Sequence, residues 1–247
     1  MEISTQRVKE IINFIQSLKL DKKYQNEFTN EKIINLLYIN ESLTHSSANS
    51  KVNYENLEFL GDAVLRLIAS DFIKNKYPYM QVGERSELRS QLVSDLWLEQ
   101  VGKKINIKSV LVVGQKALKD KSAIATIQAE ATEALIGALY ESLQILEPIR
   151  NWLIPFWEHK SQEVLADPHR QNYKSALQEW TQSKGLSIPK YKTTEIDKKH
   201  NNPKRFFCIV YIKDQSKAEG WGKSIKQAEK DAAYQSLKSL EKNLIEL

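Results

Sequence analysis

The fold of this chain is decided by the stretch YENLEFLGDAVL at residues 54–65. Its carboxylates stand at Glu55, Glu58 and Asp62, and a helix places all three on one face because residues three and four apart are neighbours there. Apolar residues continue at this spacing as far as Phe72, which predicts an amphipathic helix. We expect a row of carboxylates on one side of this helix and core contacts on the other, made by Phe59, Leu60 and Leu65.

The rest of residues 1–157 follows the same helical spacing. No run in this part alternates long enough to predict a strand, so we expect an all-α domain. Further long helices are predicted at 86–101 and 124–146. Breaks are predicted at 49–53, 77–83 and 103–108.

A second acidic pair, Glu130 and Glu133, lies within the stretch AEATEALIGA at residues 129–138. The small and apolar flanks predict a buried or half-buried helix. Clustered carboxylates repel one another unless a cation neutralises them, and oxygen ligands without Cys or clustered His suit Mg²⁺ or Mn²⁺ rather than zinc. Such a site lowers the pKa of a bound water that attacks a phosphate. The spacing alone leaves open that these are ordinary solvated glutamates.

The pattern changes in the last third of the chain. Residues 158–169 are polar and predict a linker, followed by a small α+β domain over 170–242. Its order is α-β-β-β-α, with Gly185 as the predicted C-cap of the first helix and Ser224 as the predicted N-cap of the last. The predicted elements are a helix at 172–184, strands at 188–196, 205–212 and 217–222, and a helix at 224–242.

Charge is concentrated in the same region. Residues 170–247 carry 16 Lys and Arg against 9 Asp and Glu, whereas residues 1–169 carry 20 against 22. A basic module is the electrostatic footprint of a polyanion-binding domain, although a solvated lysine-rich surface has the same composition. Lys223, Lys226 and Lys230 fall on the first turns of the last helix, whose positive end favours phosphate.

Composition argues against a membrane protein and against a secreted, disulfide-bonded protein. The chain has 247 residues, 41% of them apolar, and no stretch approaches the roughly 18 apolar residues of a membrane span. Residues 1–19 lack the apolar core of a signal peptide. The single cysteine, Cys208, excludes an internal disulfide and indicates a reducing compartment, so we expect the cytoplasm. Cys208 and Trp97 are predicted as core residues, and Trp152 and Trp157 as packing or dimer residues.

These motifs resemble those of a known family. The stretch LTHSS at residues 43–47, followed by residues 55–65, resembles the signature of the ribonuclease III family, and residues 83–90 and 129–140 resemble its later elements. The C-terminal module resembles a double-stranded RNA-binding domain. The resemblance covers essentially the whole chain.

The resemblance implies a homodimeric endoribonuclease that cuts double-stranded RNA with Mg²⁺, each subunit cutting one strand. It would leave 5′-phosphate and 3′-hydroxyl ends with short 3′ overhangs, in rRNA and mRNA processing. By position, the metal ligands would be Glu58, Asp62, Glu130 and Glu133, with Asp62 and Glu133 foremost as catalytic residues. Glu55 would contact RNA or the partner subunit.

In the C-terminal module, the resemblance implies that Lys223, Lys226 and Lys230 contact phosphates across a major groove. Gln178 and Glu179 of the first helix would reach a minor groove, unless they are simply solvated.

The sequence departs from the family pattern at four places. Glu130 stands where the family usually has Asp, and Gln81-Val82 stands where many relatives carry an acidic residue. In the loop at 198–205 the His and Pro follow a different order, and Ile225 replaces a common basic residue. These departures keep a second reading open, namely a double-stranded RNA-binding protein on the same scaffold that does not cut. A DNA-binding or purely structural protein fits the module poorly. His45 is expected to serve a capping or core hydrogen-bonding role.

Overall fold

The computed structural model describes residues 3–28, 32–48, 50–167, 169, 172–199, 202–213 and 215–245. The chain separates into two compact units, Met1–Leu165 and Ala166–Leu247. Each unit is described by itself.

The first unit is built from helices, as the sequence predicts. Single turns of 3-10 helix occur at Ser46–Ala48 and Ile107–Val110. The α-helices are α1 Thr5–Ser17, α2 Lys22–Gln25, α3 Ile33–Ser42, α4 Glu55–Lys76, α5 Val82–Leu92, α6 Asp95–Lys104, α7 Gln115–Lys119, α8 Lys121–Leu143 and α9 Glu147–Leu165.

Helices α4 and α8 form the centre of this unit because two glycines let their backbones touch. A Cβ atom on Gly61 would lie 1.9 Å from the carbonyl oxygen of Glu133, and one on Gly137 would lie 2.1 Å from that of Leu57. Nearby small residues of α8, such as Ala134, are fully buried. This contact sets the distance between the two helices that carry the acidic pairs.

Tryptophans fill the other side of the core. Trp97 and Trp157 stack with ring centroids 5.8 Å apart, and the Trp157 indole nitrogen donates to the Leu92 carbonyl oxygen at 3.0 Å. Trp152 is also buried. The prediction that Trp97 is a core residue is confirmed.

Three expectations differ from the structure. The run predicted as one helix at 86–101 is broken, because the Ser94 hydroxyl accepts from the Trp97 backbone nitrogen and starts a new helix. The polar residues 158–165, predicted as linker, belong to α9, whose Val164 is fully buried. Phe59 is 83% exposed, so the expectation that it anchors α4 in the core is wrong, whereas Leu65 is fully buried.

The second unit has the predicted order α-β-β-β-α. Its elements are α10 Tyr173–Ser183, β1 Lys190–Glu195, β2 Phe206–Ile212, β3 Gln215–Gly222 and α11 Ile225–Ile245. The strands form an antiparallel sheet in the order β1-β2-β3. Gly185, which follows α10, has a φ of +64°, and the Ser224 hydroxyl caps α11 by accepting from the Gln227 backbone nitrogen.

One face of this sheet packs against α11. Cys208 and Val210 of β2 and Ala232 of α11 are fully buried together, which confirms Cys208 as a core residue. Cβ atoms on Gly220 and Gly222 would lie 2.1 and 2.4 Å from backbone nitrogens of α11, so β3 rests directly on that helix. Within the described residues, no helix is both long and apolar enough to cross a membrane.

Candidate active site and RNA interface

The two acidic pairs meet across the α4–α8 contact. The charges of Glu130, Glu55 and Asp62 act on the Glu58 carboxyl, and the charges of Asp62 and Glu58 act on the Glu133 carboxyl. The structure therefore places Asp62, Glu130 and Glu133 within electrostatic range of Glu58, so the four carboxylates that the sequence singles out lie in one region. Glu55 lies at their margin, exposed in the first turn of α4.

Burial and neighbouring carboxylates raise the pKa of two members of the cluster. Burial, followed by the charges of Asp62 and Glu58, raises the pKa of Glu133 to about 8. Burial, followed by the charge of Glu130, also raises the pKa of Glu58. Each shift shows that adding a further negative charge here is unfavourable, because desolvation and like charges both penalise the ionised form.

Neighbouring polar groups hold two of the carboxylates. The Arg66 Nε atom donates to both Asp62 oxygens, at 2.6 and 2.8 Å. The Tyr54 hydroxyl donates to a Glu130 oxygen, and burial together with this bond raises the pKa of Tyr54. Glu130 is thus oriented by a buried tyrosine.

As the side chains stand, no three described His, Cys, Asp or Glu residues converge on one ion position. The chemistry of the donors nevertheless fits a hard divalent cation, since every predicted ligand is a carboxylate and hard cations bind oxygen ligands.

Sequence reasoning missed three residues at this site. Asp95, the first residue of α6, adds negative charge that raises the pKa of both Glu58 and Glu133. Its only sequence signal is Ser94-Asp95, which is typical of any helix start. Arg66 could have been found, because it follows Asp62 by four residues on the same helix. Tyr54 carries no comparable signal.

His45 organises the loop that leads into α4. Its Nδ1 atom lies 2.6 Å from the Ser47 hydroxyl and accepts from the Ser47 backbone nitrogen at 3.0 Å. Its ring packs edge-on against Tyr54, with centroids 5.4 Å apart. This is the hydrogen-bonding role expected for His45, and it supports the tyrosine that holds Glu130.

The departure at Gln81-Val82 has a structural role. Gln81 is the N-cap of α5, and its backbone nitrogen donates to Glu84 at 2.8 Å, completing a capping box. Val82 is exposed at the first turn. These residues begin α5, and neither brings a carboxylate to the site.

The predicted phosphate-binding lysines lie on the surface of the second unit. Lys223 and Lys226 are exposed at the start of α11, and the Lys230 Nζ atom sits 5.6 Å from the Tyr173 ring centroid. Gln178 and Glu179 are exposed on α10.

In the loop between β1 and β2, Lys198 and Lys199 are exposed, whereas His200 falls outside the described residues. The loop is closed by Asp197, which accepts from the Lys199 backbone nitrogen at 2.9 Å and from the Asn202 amide at 2.6 Å.

Comparisons with known proteins agree with both units. The Ribonuclease-III-like family matches residues 36–144, and the Double-stranded RNA binding motif matches residues 173–240. A protein named Ribonuclease 3 from Prochlorococcus marinus is 50% identical over 238 residues, 96% of this chain and 96% of that protein. Another protein of this name, from Borreliella burgdorferi, is 30% identical over 242 residues, 97% of this chain and 95% of that protein.

A solved structure supports the first unit. The nuclease domain of Ribonuclease III from Campylobacter jejuni matches with a TM-score of 0.50 and 26% identity, covering 60% of this chain and 95% of that one. Fold and matches together define a nuclease joined to a duplex-RNA-binding domain. The chain belongs to the ribonuclease III family and is an endoribonuclease. Membership of this family implies a divalent metal cofactor.

Proposed function

We propose that the chain hydrolyses double-stranded RNA at the cluster of Glu58, Asp62, Glu130 and Glu133, with Mg²⁺ as the cofactor and Asp62 and Glu133 as the catalytic residues. The products would carry 5′-phosphate and 3′-hydroxyl ends with short 3′ overhangs. The observation that supports this most directly is the meeting of both acidic pairs at one half-buried place, where the pKa of Glu133 rises to about 8.

Each residue has a distinct task in this proposal. When bound, the divalent ion would supply an activated water and neutralise charge on the phosphate. Asp62 and Glu133 would hold the ion, and burial followed by neighbouring carboxylate charge raises the pKa of Glu133. Arg66 orients the Asp62 carboxylate, and Tyr54 orients Glu130, so that the longer side chain at this position is held in place.

The cleavage reaction is tested with purified protein, long double-stranded RNA and Mg²⁺. We expect discrete short duplex products with Mg²⁺ and intact RNA with EDTA. An Asp62→Asn variant should bind the duplex with unchanged affinity and leave it uncut. Duplex binding by the parent without Mg²⁺-dependent fragments would instead identify the non-cleaving binding protein, which is the second candidate.

We further propose that α4 forms the homodimer interface. Phe59, Ala63 and Leu67 are spaced four apart on one exposed face of this helix, with Phe59 83% and Leu67 58% exposed. Exposed apolar faces of this kind mark protein interfaces. The Campylobacter jejuni structure is described as having a region involved in dimer formation of the nuclease domain, which supports a second copy as the partner.

Replacing Phe59 with Glu should shift the protein from dimer to monomer. A buried aromatic anchor at an interface contributes at least about 2 kcal/mol, so the dimer dissociation constant should rise at least about 30-fold. Light scattering with size-exclusion chromatography measures this. Ile188→Glu, which places the same charge at an exposed apolar position of the second unit, is the control and should remain dimeric. A dimeric Phe59→Glu protein would place the interface elsewhere.

We propose that Lys223, Lys226 and Lys230 contact phosphates of the duplex and that Gln178 and Glu179 face a minor groove. Lys226→Glu should weaken binding to all duplexes alike, and the slope of log affinity against log salt should fall by about 1, because each neutralised phosphate releases condensed ions. Filter binding in EDTA at several salt concentrations provides the slope. The control is Lys238→Glu, at an exposed position further along α11, and it should retain the salt slope of the parent. An unchanged slope for Lys226→Glu would exclude the phosphate contact.

The compartment and the physiological substrates are also proposals. We infer the cytoplasm because the single cysteine, Cys208, is a buried thiol and thiols persist in reducing compartments. Precursors of rRNA and structured mRNA are the proposed substrates, since a module that reads duplex shape accepts many sequences.

A further inference from the structure

The sheet of the second unit has an outer face that its helices do not cover. Gly220 and Gly222 face α11, and because side chains alternate along a strand, Trp221 between them points to the opposite side. The same alternation turns Phe207 outward, since Cys208 lies in the core. The outer sheet face comprises two rows across the strands, Thr194–Phe207–Trp221 and Lys192–Ile209–Glu219.

Two aromatic rings lie side by side on this face. Phe207 and Trp221 are register partners with ring centroids 4.6 Å apart, and Trp221 is 37% exposed. Neither ring belongs to the core cluster of the unit. Tyr211 lies further along β2 with the same outward orientation. Adjacent apolar side chains that form a contiguous exposed patch mark interaction sites.

Two lysines belong to this face or its edge. The Lys204 Nζ atom lies 5.7 Å from the Trp221 ring centroid. Lys192 is exposed opposite Ile209 in the second row. Glu219 adds one negative charge, and Arg205 is paired with Glu195 at 2.8 Å. The face therefore combines flat π surfaces with lysines at its edge, which is complementary to a polyanion whose units carry aromatic rings.

This face begins where the proposed duplex surface ends. Trp221 stands two residues before Lys223 in the sequence, and Gly222 between them packs on the first turn of α11. The two surfaces are therefore neighbours along the chain, with Trp221 on the side of the sheet opposite α11.

We propose that the outer sheet face binds unpaired RNA nucleotides, which stack on Phe207 and Trp221 while Lys192 and Lys204 contact their phosphates. Aromatic rings beside lysines bind single strands because every base has a π face and the backbone is a polyanion. Duplex RNA offers no such surface, since its bases are stacked on one another. The protein would thus hold both a duplex and the single strand that flanks it.

Binding of a fluorescent oligouridylate of about 12 nucleotides and of a blunt-ended RNA duplex tests this, measured by anisotropy with the full chain in EDTA. Because cleavage plays no part, the result is independent of the proposed nuclease mechanism. Trp221→Ala should weaken oligouridylate binding by about tenfold and change duplex binding less than twofold. Trp221→Phe keeps a stacking ring and should stay within threefold of the parent. Lys226→Ala should show the reverse pattern and weaken the duplex alone.

Two further variants, Lys192→Ala and Lys204→Ala, test the phosphate contacts and leave both aromatic rings in place. Each should lower the salt slope for the single strand by about 0.7. Unchanged single-strand affinity in Trp221→Ala, or equal loss for single strand and duplex, would overturn the proposal, as would a parent protein that does not bind oligouridylate at low salt. A Trp221→Ala protein with altered oligomeric state and unchanged single-strand affinity would identify a protein contact instead.

Discussion

Replacing Glu133 with Gln should reduce RNA cleavage on the order of 10³-fold while leaving duplex affinity unchanged. The variant keeps the shape of the side chain and removes the charge that would hold the cation, and the loss of about 4 kcal/mol of transition-state stabilisation corresponds to that factor. Single-turnover cleavage with saturating enzyme measures the chemical step. Glu87→Gln on α5 is a matched control and should cut at the parent rate.

The same variant should alter stability with a definite sign. The pKa of Glu133 is about 8 in the fold and about 4.3 in an unfolded chain, so between these values the folded protein holds one proton more. Stability of the metal-free parent should therefore fall as pH rises from about 4.5 through about 8. Glu133→Gln, which is always neutral at this position, should show a smaller decrease, to which the raised pKa of Glu58 still contributes, and be the more stable protein at pH 8.5.

Added Mg²⁺ should make the parent more stable than Glu133→Gln at pH 8.5, because a ligand that binds only the folded state stabilises it. The parent should gain more thermal stability from Mg²⁺ at pH 8.5 than at pH 6, where Glu133 must first lose its proton. Glu133→Gln should gain little at either pH. If both proteins respond equally to Mg²⁺, Glu133 is not a ligand, and Glu58 and Asp62 would have to hold the ion without it.

Replacing Gly61 with Ala should destabilise the first unit by about 3 kcal/mol, at the upper end of ordinary overpacking. The new Cβ atom would lie 1.9 Å from the Glu133 carbonyl oxygen, and a backbone atom cannot rotate away as a side chain does. Helices α4 and α8 must then separate, which also moves the carboxylates they carry. Calorimetry of the full chain follows the unfolding transition.

Gly83→Ala is the matched control. Gly83 also lies in a helix, yet a Cβ atom there would meet nothing within 4 Å. This substitution should stabilise the protein by about 0.5–1 kcal/mol through helix propensity. A Gly61→Ala protein as stable as Gly83→Ala, with full cleavage activity, would contradict the close contact between α4 and α8.

Local features of this protein could be predicted from the sequence because they depend on neighbours in the chain. Apolar spacing indicates the helices of the first unit, and two residues mark helix ends, Ser224 through its hydroxyl and Gly185 through its positive φ. The lysines at the start of α11 and the carboxylates of α4 follow from spacing as well. Family resemblance added the function that these patterns alone left open.

Other features were decided only when distant parts of the chain met. Local composition makes residues 158–165 look like a linker, whereas burial of Val164 keeps them in α9. The apolar pattern includes Phe59 whether its side chain faces the core or the solvent, so the pattern does not distinguish the two. Asp95 acquires its influence on the site only through the position of α6.

The sequence by itself determined which helices carry carboxylates, which residues are basic, and the order of the two units, since each depends on residues close in the chain. Tertiary structure decided that Glu58 and Asp62 lie within electrostatic range of the second acidic pair. It also decided that Tyr54 holds Glu130 and that Phe207 and Trp221 share an outer face. The physical reason is packing: a pair of glycines more than 70 positions apart determines how closely α4 and α8 approach, and no local pattern records that distance.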